Sequence, residues 1–485
     1  MITTIALAIA ASFFDVRQFG AVGDGKTMAT AAIQKAIDEA AKAGGVVRIP
    51  EGQYLSGTIH LRSKVELHLD KGATLLGSAH LKDYERGLWR SLILAQGCHN
   101  IAITGEGTID GRGDKVIQDV LRMVDTGEIK IPPKRWRPSE VDRTEVIEMT
   151  ACHGIRIEGV TLEHSSSWLQ VYRRCSDLTV KGIRVDNMTY WNCDGIDLCD
   201  CLNARVEDCD IDADDDAICL KSETRDSRCE NIVIQNCRVR SSASAIKFGT
   251  ASLGGFRHIR IKGISVRDTF RSVVALESVD GGVLEDVVVE NVKAVNTGNP
   301  FFIRLGHRNL KAPVGRVRHI TLRDFDVQVP AGRPDEGYPF HGPFFAEPHN
   351  ICPASIMGHS EVPIEDVVLE RIKIRMPGGG LPSVAYRPID KLDLVTERPT
   401  EYPEFSNFGE LPAWALFARH VRGLRINGMT AELDKPDYRP AFVADDVASV
   451  TADGVTVRGA EPTFAVRAGR DLKVGPGVRV VKVNR

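Results

Sequence analysis

The chain has 485 residues, 43% of them hydrophobic, with 26% charged residues, a formal net charge of −3 and a pI near 6.5. That charge leaves no basic footprint for a nucleic-acid partner. No apolar run is long enough to span a membrane.

The chain opens on a short apolar run, Ile5 to Ala11, with Ala8 and Ala10 in an Ala-x-Ala step. It reads either as the tail of a secretory leader (residues 1–13), with a secreted or periplasmic location, or as a first strand. Residues 14–485 read as one domain: a capping region (14–98), catalytic coils (about 150–310) and loop-rich C-terminal coils (311–485). Thr30 to Ala43 is predicted as a helix, with Ala32, Ile33, Ala36, Ile37 and Ala40 on one face and Gly44-Gly45 as its stop. Such a helix would cover the open end of a solenoid. A second helix is predicted over about Lys115 to Val124, before a proline-rich loop at Ile131 to Pro138.

From Ile155 onward a strand template recurs: Ile155/Ile157/Val160/Leu162, Leu178/Val180/Ile183/Val185, Ala204/Val206/Cys209/Ile211, Ile232/Ile234/Cys237/Val239 and Ile259/Ile261/Ile264/Val266. Copies continue to Val450/Ala452/Val455/Val457, at intervals of roughly 23 to 28 residues as far as Val287 and longer ones afterwards. Alternation of period two makes each copy a pair of short strands. A second strand family lies between the copies, at Gly195 to Leu198, Ala217 to Lys221, Ala245 to Gly249, Val273 to Ser278 and Phe302 to Gly306. Two or three strands per repeat of this length describe a parallel β-helix, all-β and right-handed by the usual chirality of parallel crossovers. The spacing fits neither a leucine-rich horseshoe nor a propeller. Cys209 and Cys237 take the same inward position on adjacent coils and read as small buried hydrophobes, while Cys199 and Cys201 lack partners at zinc spacing.

Charge concentrates at Asn192-Cys193-Asp194-Gly195-Ile196-Asp197 and Asp214-Asp215-Asp216-Ala217-Ile218. In the repeat alignment Asp194 lies over Asp216, so stacking gathers Asp194, Asp215 and Asp216 on one surface. Like charges held together raise each other's pKa, which marks a candidate site. An Asp-rich turn capping backbone amides, or a calcium site, is the alternative.

The entry Phe19-Gly20-Ala21-x-Gly23-Asp24-Gly25, Gly107-Thr108-Ile109-Asp110-Gly111, the two aspartate segments and the turn Gly254 to Arg257 together resemble glycoside hydrolase family 28, the polygalacturonase and rhamnogalacturonan hydrolase family. The resemblance runs from about Phe14 to Val329. It implies an inverting hydrolase acting on a uronate-containing, pectin-type poly- or oligosaccharide, with no cofactor and no metal. It implies Asp215 as general acid, Asp194 with Asp216 holding the attacking water, and Asn192 and Asp197 orienting the site. Strand spacing allows the separation of roughly 6.5 to 9.5 Å that inversion needs.

The chain departs from the polygalacturonase pattern on the next coils. Ser242 to Lys247 stands where the family has Gly-His-Gly, and Ala275-Leu276-Glu277 where it has Arg-Ile-Lys. These departures point away from unmodified polygalacturonan. With Ile246, Phe248, Val274, Leu276, Ile303 and Leu305 inward, one outward column reads Asp197, Cys219, Lys247, Ala275, Arg304 and the next Lys221, Gly249, Glu277, Gly306. Lys221, Lys247, Glu277 and Arg304 are therefore candidate substrate-binding residues, the two cations of the first column for a carboxylate. The late inserts Tyr338 to His349 and Tyr402 to Phe408 are rich in aromatic residues, and they either wall the groove or pack over coil edges. A β-helix polysaccharide lyase with Lys247 as base, and a non-catalytic carbohydrate-binding solenoid, remain open. The oligomeric state is not legible.

Overall fold

The computed structural model describes residues 12–133, 135–334, 352–383 and 387–483. Its strands form one continuous parallel ladder, the right-handed parallel β-helix expected. Each coil contributes up to three short strands. The coil that carries Asp194 has Ile196–Cys199, Leu202–Glu207 and Asp210–Ala213. These pair in register with Ile218–Ser222, Cys229–Gln235 and Arg238–Ser241 of the next coil.

Isoleucine, valine and leucine stack inward from coil to coil. Ile196, Ile218, Ile246 and Val274 form one such column, each no more than 1% exposed. The stack grows along one axis, so a chain of this length keeps a single core. Cys209 and Cys237 are buried and in the same core, and they form no disulfide.

The predicted capping helix, α1, spans Thr30–Ala40, and it turns Ile33, Ala36, Ile37 and Ala40 onto the first coils. The second helix, α2, spans Gly113–Asp125. The first described strand is Phe13–Asp15, paired with Gly45–Ile49. Ile5 to Ala11 and the insert Tyr338 to His349 lie outside the described residues.

One register expectation is corrected. Ala275 pairs with Phe302 and Glu277 with Arg304, so Arg304 stands in the Glu277 column, two residues from the place the alternation suggested. Alternation of period two does not distinguish registers two residues apart, and the partner of Ala275 is Phe302. It points outward but is fully buried beneath the insert, against Phe408 at 6.2 Å between ring centroids. Phe302, Met357, Leu392, Phe405, Phe408 and Phe417 belong to a second apolar cluster outside the main stack. The insert around Phe405 thus packs on the outer face of the coils, and its tip also reaches the groove described next.

Candidate active site

The aspartates sit in the turns that enter the first strand of two neighbouring coils. Gly195 is required there, because a Cβ at that position would lie 2.5 Å from the Ala217 carbonyl oxygen. The Gly195 amide donates to the Asp216 carbonyl at 3.1 Å, and the Asp194 carbonyl accepts from Leu169 N–H at 3.0 Å and Asn187 Nδ2 at 2.9 Å. The turn is therefore held on both sides, and the side chains of Asp194 and Asp216 project from fixed backbone. Carboxylate oxygens of these two residues lie within 4.8 Å of each other. Asp215 occupies the neighbouring turn position and borders an open cavity of about 650 Å³, while Asp194 and Asp216 are 3% and 5% exposed.

Two ammonium groups bracket the cluster. Lys221 Nζ lies 3.3 Å from Asp194 Oδ2, pairs with Asp197 Oδ1, and sits 4.0 Å from the Trp168 ring centroid. Lys247 Nζ lies 3.6 Å from Asp216 Oδ2 and 3.9 Å from Glu277 Oε2, and donates to Tyr402 OH at 2.8 Å. Burial disfavours the Lys221 charge, yet Asp197 and Asp194 more than offset it and hold its pKa well above the ordinary lysine value. Burial pushes the Asp194 carboxyl well up, helped by the Asp197 charge and opposed by Lys221. Burial likewise raises Asp215, with Asp216 adding to the rise and Arg271 and Lys247 opposing it. Asp197 is pushed up to about 6 by burial, with Lys221 holding it down. Asp194 and Asp215, buried and crowded, therefore hold a proton more tightly than free carboxyls do. Of the three aspartates, Asp215 is the one that borders the cavity.

Asn192 takes a left-handed backbone conformation, φ 60°, at the same turn. Its Oδ1 accepts from Arg143 Nη2 at 3.0 Å, which turns Nδ2 toward Asp215 Oδ2, 3.4 Å away. Arg143 is fully buried and also donates to the carbonyls of Ser166 and Trp191.

Of the other predicted binding residues, Lys221, Lys247 and Glu277 lie among the aspartates, and Arg304 does not. Arg304 is 3% exposed, and its guanidinium donates to the carbonyls of Met357, Gly358, Glu397 and Arg398, with the Phe408 ring 5.1 Å away. Its donors are spent on the loops, so Arg304 fastens the insert over the coils. Arg271 stands nearer the aspartates and was missed. It is the third member of the turn column Asp215, Ala243, Arg271, each residue three before the paired positions Ile218, Ile246 and Val274. That column was legible had the alignment been carried back into the turns. Arg271 lines the cavity and pairs with Glu404 of the insert at 3.0 Å. Trp136, Trp191, Phe270 and Tyr402 supply its aromatic walls, with Arg137 stacked 5.0 Å from Trp136 and 5.4 Å from Trp191. Aromatic faces with buried charged groups suit a sugar ring carrying hydroxyl or carboxylate substituents.

Asp194, Asp216 and Cys219 place potential ligand atoms within 4.8 Å of one another. They do not fit a resident cation. Burial pushes the Cys219 thiol well up, so it stays protonated and donates to the Gly249 carbonyl at 3.1 Å. Lys221 and Lys247 already supply the positive charge a metal would bring.

Glu277 gives a pH test of this buried chemistry. It is 1% exposed, and burial pushes its carboxyl from 4.5 to about 8 against the pull of Lys247. A folded pKa above the unfolded one favours the fold fully below the unfolded value, and that contribution is lost as pH rises toward 8. Melting temperature should fall across pH 5 to 8, and the Glu277→Gln variant should show a shallower fall; identical slopes would contradict the assignment.

A parallel β-helix with recessed carboxylates, buried ammonium groups and aromatic walls has the lining of a carbohydrate-binding groove. Residues 41–270 match the model for glycosyl hydrolases family 28. A probable polygalacturonase of Vitis vinifera is 28% identical over 311 residues, 59% of this chain and 56% of the grape protein. An exopolygalacturonase of Zea mays is 27% identical over 330 residues, 64% of this chain and 74% of that one. The exopolygalacturonase structure from Thermotoga maritima shares the fold at a TM-score of 0.56 and 21% identity, covering 75% of this chain and 87% of that one. Residues 41–270 thus resemble family 28, and the chain is similar to polygalacturonases of that family. Its match spans little more than half the length of the grape relative.

Proposed function

We propose that the protein hydrolyses O-glycosidic bonds in an acidic, pectin-type poly- or oligosaccharide with inversion at the anomeric carbon. The observation that carries this reading is the division of the three aspartates between two settings. Asp215 faces the cavity with its pKa raised by burial, and the Asp194 and Asp216 pair is recessed between Lys221 and Lys247. In the proposed reaction Asp215 donates its proton to the leaving oxygen. Asp194 and Asp216, each beside an ammonium group, orient a water and take its proton as it attacks the opposite face of the sugar. Asn192 holds Asp215 in line, and Asp197 fixes Lys221.

Arg271 and Lys247 are the cations nearest the cleavage point, so a uronate carboxylate is the charge they complement. The absence of the Gly-His-Gly and Arg-Ile-Lys segments supports a pectic substrate other than unmodified polygalacturonan. Tyr402, Glu404 and Phe405 of the insert close one side of the cavity, which favours attack near a chain end. A secreted or periplasmic location would match such a polymer.

Product analysis on a panel of pectic oligosaccharides tests the reading. New reducing ends of inverted anomeric configuration, seen by NMR before mutarotation and without ultraviolet-absorbing unsaturated ends, are expected. Unsaturated products would replace it with a lyase, and no products with retained binding would leave a carbohydrate-binding solenoid.

A further inference from the structure

A second cavity, of about 550 Å³, opens on the N-terminal side of the aspartates, and nothing in the mechanism above uses it. Its floor is the outward column Gln96, Thr150, Arg173, in register on three successive coils. The same column continues through Cys199 to Lys221, so Arg173 stands two coils, about 10 Å, from the lysine that braces Asp194.

Arg173 is 4% exposed, and all three of its guanidinium nitrogens lack a hydrogen-bond partner among the described residues. Its ion-pair neighbours are Glu145 at 4.0 Å and Glu223 at 3.5 Å, and neither contact is a hydrogen bond. The guanidinium lies against a pair of indoles, 5.1 Å from the Trp89 centroid and 5.6 Å from that of Trp168, whose rings are themselves 4.5 Å apart. Beside it the Thr150 hydroxyl is also buried and unpartnered among the described residues. Leaving a buried donor unmade is costly, on the order of 1–3 kcal/mol per group and more for a charged one. Such a cluster of unspent donors at one cavity wall is a place prepared for an acceptor.

Most of the acidic groups of the cavity are already committed. Glu148 accepts the Leu88 and Trp89 amides at 2.9 and 3.1 Å, which fixes the loop that carries Trp89. Asp200 accepts from Ser222, from the Glu223 and Thr224 amides and from the Thr224 hydroxyl. Glu85 pairs with His60 at 3.0 Å. Glu145 and Glu223 flank Arg173 without hydrogen-bonding it, and its planar fork of donors with a hydroxyl beside it has the shape that a carboxylate fits.

We propose that this cavity is a distal subsite for an acidic sugar unit of the substrate. Arg173 holds the carboxylate bidentately, Thr150 adds a hydrogen bond, and the Trp89 and Trp168 rings keep the fork in place. The inference rests on the hydrolase reading for its place along the substrate, but the binding it asserts can be measured without turnover.

The test compares wild-type protein with Arg173→Lys and Thr150→Val, using uronate oligosaccharides of increasing length and their carboxyl-reduced, neutral counterparts. Tryptophan fluorescence follows binding and reducing-end assays follow hydrolysis. Long acidic oligosaccharides should lose roughly tenfold or more in affinity and in kcat/KM with Arg173→Lys, and less with Thr150→Val, while the shortest cleaved substrate is unaffected. Lysine keeps the charge and loses the fork, which guards against a simple loss of folding; if that variant still fails to fold, the Thr150→Val series and the wild-type preference for acidic over neutral oligomers decide. Equal losses at every length, or wild-type binding indifferent to carboxyl reduction, would overturn the subsite. Wild-type protein that binds acidic oligomers in this way but cleaves none would overturn the hydrolase reading and leave the subsite standing.

Discussion

Asp215→Asn should lower kcat on a natural oligosaccharide by a factor on the order of 10² to 10⁴, the usual contribution of a positioned general acid. The physical content lies in the contrast between substrates. An aryl glycoside whose leaving phenol needs little protonation should lose far less, and the basic limb of the kcat/KM profile should disappear, because that limb reports loss of the Asp215 proton. Burial and the neighbouring Asp216 keep this proton in place above the usual carboxyl range. Equal losses on activated and natural substrates would show that the carboxyl holds the site together and does not protonate the leaving oxygen. Asparagine preserves shape and hydrogen-bonding capacity, so its Asp216 amide contact, 2.9 Å in the native turn, can persist.

Lys221→Met should be the most damaging single change for stability. It leaves Asp194 and Asp197, 3% and 0% exposed, without the ammonium that they share. Breaking one side of a buried ion pair costs about 3–5 kcal/mol, to be read from the midpoint of denaturant unfolding. The sign of the kinetic effect follows from the same contact. Lys221 pulls the pKa of both aspartates down against burial. Without it they ionise at higher pH, so the acidic limb of kcat/KM moves up. A variant as stable as the wild type, with that limb in place, would remove Lys221 from the support of the base.

These two residues show how unevenly sequence and structure contribute. Asp194 and Asp216 were legible because the repeat places them at equivalent positions, and in-register parallel pairing converts a sequence interval into spatial adjacency. Strand alternation also separated Ile218 and Ile246, which fill the core, from Lys247, which turns outward. The same alternation misplaced Arg304 by two residues, because a period of two fits Ile303 or Leu305 opposite Leu276 equally well. Lys221 was found as a candidate for substrate, yet its partners Asp197 and Asp194 are protein groups reached diagonally across coils. No spacing along the chain displays that contact.

The sequence by itself determined the parallel β-helix, its capping helix and the gathering of three carboxylates, since each follows from a period that repeats along the chain. Tertiary structure alone decided what the cations around those carboxylates contact. Arg271 is brought in from two coils away, Arg304 is spent on the insert, and Tyr402 is laid over Lys247 from 155 positions downstream. The physical reason is reach. A repeat fixes neighbours one coil apart, whereas long side chains and inserted loops make contacts whose partners the period does not encode. The acid groove and its carboxylates are therefore written in the repeat, and the protonation state of each carboxylate is set by charges that only the folded chain brings within a few ångströms.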